Sequence, residues 1–186
     1  MNVAEYASII VGELSLTLNK VSPEEGEKLS DMILTADKIF VAGAGRSGLA
    51  AKAFAMRLMH MGFDAFVVGE TVTPNLAQED LFIIASGSGE TSSLIAMARK
   101  AKAIGALLAT VTIRPNSSIG VLADLSVTIP APTPKADVTV DFKSIQPMGS
   151  LFEQSLQLFF DAVILKLMEK RGIDSDTMFT RHANLE

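Results

Sequence analysis

Two apolar runs break into small residues and then into helix-compatible sequence. They are Ile39-Phe40-Val41-Ala42-Gly43-Ala44-Gly45-Arg46-Ser47-Gly48 and Leu81-Phe82-Ile83-Ile84-Ala85-Ser86-Gly87-Ser88-Gly89-Glu90-Thr91. Each predicts a strand, a tight turn and a helix start. Strand-like runs are expected at 38–42, 64–68, 81–85, 107–113 and 125–129, with helical stretches near 48–60 and 91–104 and a short one near 117–122. Ahead of the first strand, Val3, Tyr6, Ala7, Ile10, Leu14 and Leu18 recur at helical spacing over 3–19. Ser22-Pro23-Glu24-Glu25 then supplies a cap, a first-turn proline and a glutamate at the third helical position, which predicts a second helix. Strands alternating with helices imply an α/β fold, a three-layer sandwich around a five-stranded parallel sheet. The order 2-1-3-4-5, a flavodoxin-like topology, is expected because both turns must flank the crevice where the connections diverge from strand 1.

The segment 130–147 contains Pro130, Pro132, Pro134 and Pro147 and reads as a long surface loop that could rim that crevice. A final helix over 151–171 carries Leu151, Phe152, Leu156, Leu158, Phe159, Phe160, Val163, Ile164, Leu165, Leu167 and Met168, more apolar surface than one face against a sheet requires. Central burial would explain it, and so would a second face buried against a partner subunit, an interface to which the N-terminal helices could also contribute. After Gly172 the tail keeps Met178, Phe179 and Leu185, which predicts that it docks.

With 186 residues, 48% of them hydrophobic, the chain is expected to form one domain over 1–186, with N-terminal helices at 3–35 and a docked tail at 173–186. The net charge of −5 and the absence of a lysine or arginine stripe argue against a nucleic-acid surface. Cysteine is absent, which excludes disulfides, thiolate metal sites and cysteine nucleophiles. No uninterrupted apolar stretch offers a membrane span, and an N-terminus carrying Glu5 and Glu13 does not read as a signal peptide, so a cytoplasmic protein is expected.

The turns carry the chemistry. Unpaired N–H groups at a helix start can hold an anion beyond the strand ends. Ser86, Ser88 and Thr91 alternate with glycines and no lysine, a composition suited to a phosphate monoester on a small metabolite rather than to a nucleoside triphosphate. Ser47 can offer both hydroxyl and backbone N–H at the other helix start, and Arg46 either faces bound anion or forms a surface ion pair. A dinucleotide enzyme is the weaker reading, since the region after the second strand contains no convincing ribose-binding acid. Glu153 has two readings. Ser150-Leu151-Phe152-Glu153 has the spacing of a capping box, which is the reading the spacing favours, while a carboxylate at this point could also serve as a general base. His60 and His182 are the only histidines; each is either a structural imidazole or a site residue, and without cysteine or a close histidine pair no metal site is expected.

The turns GAGRSG and SGSGET resemble those of the sugar isomerase (SIS) domain family. Phe54-Ala55-Met56-Arg57-Leu58-Met59-His60-Met61-Gly62, Gln146-Pro147-Met148-Gly149-Ser150-Leu151-Phe152-Glu153-Gln154 and the terminal Arg181-His182-Ala183-Asn184-Leu185-Glu186 resemble, within it, the 6-phospho-3-hexuloisomerases. The resemblance implies reversible isomerisation of D-arabino-hex-3-ulose 6-phosphate to D-fructose 6-phosphate through a C2–C3 enediol, a step of formaldehyde fixation by the ribulose monophosphate route, with no cofactor or metal. It implies Glu153 as the catalytic carboxylate, with His60 and His182 as further catalytic candidates. Arg46, Ser47, Ser86, Gly87, Ser88, Gly89, Glu90 and Thr91 are its implied substrate contacts, and a homotetramer built as a dimer of dimers its implied assembly. The alternatives are another sugar-phosphate isomerase or a non-catalytic phosphosugar sensor; a sensor would commonly carry an output module, for which this length leaves no room.

Overall fold

Alternation along the strands decides the layers. In β1 (Ile39–Gly43), Ile39 and Val41 point to one side of the sheet and Phe40 and Ala42 to the other. In β3 (Leu81–Ala85), Leu81, Ile83 and Ala85 join the first side, and Phe82 and Ile84 the second. Both faces are apolar, so both must be covered. The computed structural model describes residues 1–132 and 143–185. Chain order is α1 (Val3–Leu18), α2 (Pro23–Thr35), β1, α3 (Gly45–His60), β2 (Ala65–Val67), β3, α4 (Ser92–Ile104), β4 (Leu107–Thr112), β5 (Leu125–Thr128), α5 (Ser150–Arg171) and α6 (Ser175–Phe179).

The sheet has five strands, all parallel, in the expected order β2-β1-β3-β4-β5. On one face α2, α3 and α5 bury Leu29, Ile33, Phe54, Leu58, Leu156 and Phe160, with the rings of Phe54 and Phe160 stacked at 4.2 Å between centroids. On the other, α4 covers Phe40, Phe82 and Ile84 with Leu94, Ala98 and Ala101. Ser22 caps α2 as expected, its hydroxyl accepting from Glu25 N–H. The Glu25 carboxylate does not close a capping box; it accepts the Thr128 N–H of β5 at 2.8 Å, tying α2 to the edge of the sheet.

Two expectations change. Residues 117–122 form turns rather than a helix, because Ile119 N–H donates to Gly89 O (3.1 Å) and Gly120 N–H to Ser117 Oγ (3.2 Å) instead of to carbonyls four residues back. In α1, Leu14 and Leu18 pack against the core as their spacing predicts, but the most deeply buried residues are Glu13 and Thr17, and Val3 and Tyr6 stay exposed, since α1 lies at the margin of α5 and presents most of its surface to solvent. Most apolar positions of α5 are buried within the chain; Leu158 and Leu165 remain 43% and 66% exposed. Part of the loop at 130–147, including Pro134, and Glu186 of the tail lie outside the described residues.

Glycine is required where α3 leaves β1. A Cβ on Gly48 would stand 2.6 Å from Gly43 O, and one on Gly43 would stand 2.9 Å from Gly48 N, so strand end and helix start touch backbone to backbone. Gly48→Ala is therefore expected to cost about 1–3 kcal/mol of stability by overpacking, measured as a lower denaturation midpoint at unchanged m-value.

Candidate active site

The carboxyl ends of β1 and β3 lie side by side, with Gly43 opposite Ala85. Their turns therefore open into one cleft, and α3 and α4 both begin there with caps, Ala44 and Thr91, that make no side-chain capping bond. Helix-start N–H groups left without internal partners at adjacent strand ends form a seat for an anion. Ala44, Arg46 and Ser47 line the cleft from the first turn, and Ser86, Gly87, Ser88 and Thr91 from the second; its volume is about 260 Å³.

The second turn is rigidly built. Ser86 Oγ accepts from Gly89 N–H and Ser88 Oγ from Glu90 N–H, both at 3.2 Å. Ile113 N–H donates to Gly87 O. Gly89 has a positive φ of 64°, and a Cβ there would collide with Ser117 Oγ. The Glu90 carboxylate accepts from Ser118 N–H (2.8 Å) and Ser118 Oγ (2.7 Å), bonds that hold it below the usual carboxylate range. Gly89 and Glu90 thus lie against the 114–120 turn, outside the lining of the cleft, and hold the serines in place. Glu70, the acid after β2, is paired with Lys52 at 2.7 Å.

The start of α5 forms the facing wall through Met148, Gly149, Phe152 and Glu153. The capping box anticipated at Ser150 does not form. Met148 takes a left-handed φ of 54°, the chain turns one residue early, and Gly149 becomes the N-cap. Ser150 then falls inside the helix, where its hydroxyl accepts from Arg46 Nη1 at 3.1 Å. Glu153 is freed from capping, and its Oε2 accepts from Arg46 Nε at 3.1 Å. Arg46 bridges the first turn and α5, holding a carboxylate beside the two helix starts. The spacing of Ser150 and Glu153 concealed this arrangement because the left-handed residue before them has no sequence signal.

His60 and His182 lie elsewhere in the chain. They line a separate cavity of about 470 Å³ with Arg57, Asp161, Met178 and Phe179. Their rings are 5.5 Å apart, Phe179 lies 5.6 Å beyond His182, and Arg57 Nη1 sits 3.3 Å from His60 Nδ1. The tail docks here through α6, whose Met178 packs on the core, while Arg181 reaches Gly62; Leu185 is fully exposed. A helix terminus would favour a charged His60, but His60 is 4% exposed. Burial first, then the Arg57 and His182 charges, pull its pKa below the ordinary value. The proximity of Arg57 was legible only as a spacing of three on one helix. Among the described residues no cluster of three or more His, Asp or Glu could hold a metal, and no helix is long and apolar enough to cross a membrane.

A family model for the SIS domain matches residues 32–158. The chain is 59% identical to the 3-hexulose-6-phosphate isomerase of Bacillus subtilis over 186 residues, all of both chains. It is 42% identical to the enzyme of the same name from Mycobacterium gastri, over 100% of this chain and 92% of that one. A crystal structure of a Methanococcus jannaschii protein, from which a function as 3-hexulose-6-phosphate isomerase was inferred, superimposes with a TM-score of 0.85 at 35% identity, covering 98% of this chain and 99% of that one.

Because folding lowers the His60 pKa from its ordinary 6.5, the unfolded chain binds more protons as pH falls through that value, and stability is lost on acidification. His60→Gln is expected to flatten the fall in denaturation midpoint between about pH 8 and pH 5. Equal slopes in both proteins would contradict this.

Proposed function

The chain belongs to the SIS domain family, and from that premise we propose that it interconverts D-arabino-hex-3-ulose 6-phosphate and D-fructose 6-phosphate, a step of formaldehyde fixation by the ribulose monophosphate route. The observation that carries this reading is the placement of Glu153 and Arg46 in the cleft lined by Ser47, Ser86, Ser88 and Thr91. The turns seat the phosphate, and the length of the sugar brings its carbonyl end toward α5. Glu153 removes the C2 proton of the 3-ketose as charge develops on O3, giving the C2–C3 enediol. Glu153 delivers a proton to C3, exchanged in part with solvent while on the carboxylate, and O2 loses its hydroxyl proton as O3 gains one, so no hydride or redox partner enters. Arg46 orients Glu153 and offers its cation to the developing oxyanion, the kind of help that is usually the largest contribution to such catalysis.

His60 and His182 reach this chemistry only from a neighbouring copy, since in one chain they line another cavity. The reading includes the homotetramer, a dimer of dimers, that the family resemblance implies. Exposed Tyr6 and Leu16 on α1, Leu49, Met56 and Met59 on α3, and Leu158 and Leu165 on α5 supply apolar surface for it. The substrate is a metabolite of the cell interior, and we place the protein in the cytoplasm.

The test is turnover of the 3-hexulose 6-phosphate by purified protein without added metal or nucleotide. Glu153→Gln is expected to lower kcat on the order of 100-fold or more with inorganic phosphate affinity retained, whereas Ser88→Ala should weaken phosphate binding about tenfold or more with a smaller effect on kcat. Normal exchange of the C2 proton with solvent in Glu153→Gln would remove the glutamate from this role. Mixed oligomers of Glu153→Gln and His182→Ala chains should recover activity that neither variant has alone; recovery of none would place the histidine outside the shared site.

A further inference from the structure

Glu13 is a carboxylate on the inward face of α1, 6% exposed, far in sequence from any catalytic candidate. Among the described residues it is met by three donors of one short strap. Its Oε2 accepts from Ser144 Oγ (2.6 Å) and Gln146 Nε2 (2.9 Å), and its Oε1 from Ile145 N–H (2.7 Å). Ser144 Oγ also accepts from Gln146 N–H at 3.0 Å, which closes the strap on itself. Burial alone would raise the Glu13 pKa, but the bonds from Ser144, Gln146 and Ile145 outweigh it and hold the group below the usual range, as befits an ionised anchor.

The strap has no regular secondary structure of its own and runs directly into the cleft. Pro147 O accepts from Ser150 N–H, Met148 and Gly149 line the cleft, and a Cβ on Gly149 would stand 3.4 Å from Glu153 Oε1. Core packing fixes the axis of α5 from Leu151 onward, whereas the left-handed turn at Met148 that frees Glu153 from capping lies ahead of that packing. A residue in αL without glycine persists only where its surroundings impose it. The element that grips the chain just before it is Glu13.

We propose that Glu13 is a positioning residue for the reaction: through Ser144, Ile145 and Gln146 it fixes the Met148–Gly149 rim and so the approach of Glu153 to the substrate. This rests on the function proposed above. The phosphate turn is built separately, on β3, α4 and the Glu90–Ser118 latch, so the two halves of the site respond differently to loss of the anchor.

In Glu13→Gln the new amide can still accept from Ile145 N–H, but it sets N–H against the Gln146 amide. The expected result is a kcat lowered about tenfold or more with inorganic phosphate affinity changed less than about threefold, and a loss that shrinks below about threefold when measured in the Glu153→Gln background, because the two residues act as one unit. A loss of the same factor in both backgrounds, a fall in phosphate affinity in step with kcat, or an unchanged kcat would each overturn it. If Glu13→Gln does not fold, Ser144→Ala removes one of the three donors and enters the same cycle. Should the unaltered chain fail to turn over the ketose phosphate, the functional reading fails, and amide hydrogen exchange then decides the anchor by itself. Faster exchange at Ile145 and Ser150 in Glu13→Gln, with Ser86–Thr91 unchanged, supports it; equal change at both segments, or at neither, overturns it.

Discussion

Pairing of β1 with β3 is the constraint on which the site depends. Parallel strands end on the same edge of the sheet, and the register that sets Gly43 beside Ala85 brings two helix starts into one cleft. Each turn alone would offer a few N–H groups to solvent. Side by side, with Ser47, Ser86, Ser88 and Thr91 between them, they make a concave seat in which donors converge. The backbone contact of Gly43 with Gly48 keeps α3 close enough to the strand for this to happen.

Polar pairs, some at the surface and some buried, do the remaining positioning. Glu90 is bound to Ser118, Arg46 to both Ser150 and Glu153, and Glu13 to the strap before α5. Each pair joins segments distant in the chain, so each fixes a separation that apolar packing leaves loose. Buried charge is costly unless its hydrogen bonds are satisfied, and the Glu13 carboxylate meets that requirement with donors from consecutive residues. Asp80, fully buried and held by Lys38 at 3.0 Å, performs the same service at the opposite end of the strands, joining the starts of β1 and β3.

The two histidines illustrate how a shared neighbourhood can lie within the chain yet outside its main cleft. His60 ends the helix that begins at the first turn, and α3 runs about 1.5 Å per residue, so a residue at its far end cannot line the cleft at its start. His182 joins His60 because α6 folds the tail back over the C-terminal halves of α3 and α5. The outcome is a second cavity, which the exposed Leu165 of α5 also lines.

Local sequence determined the strands, most of the helices and the two turns that border the cleft. Apolar runs ending in glycine specify strands buried on both faces, and alternation with helices leaves few topologies in which both turns border one crevice, so sheet order, strand positions and the serines of the second turn were all legible. What the chain could not reveal by itself was the direction in which polar side chains would be used. Glu153 in a capping box and Glu153 facing a cleft have the same spacing, and the choice was made by a left-handed Met148 and by Arg46 arriving from more than 100 residues away. On α1 the buried carboxylate of Glu13 stands where periodicity offers no reason for one, because Ser144, Ile145 and Gln146, invisible in that periodicity, bring their donors to it. Hydrophobic pattern is a local property repeated along the chain, whereas a hydrogen-bond partner is a single group whose position exists only once the elements have packed.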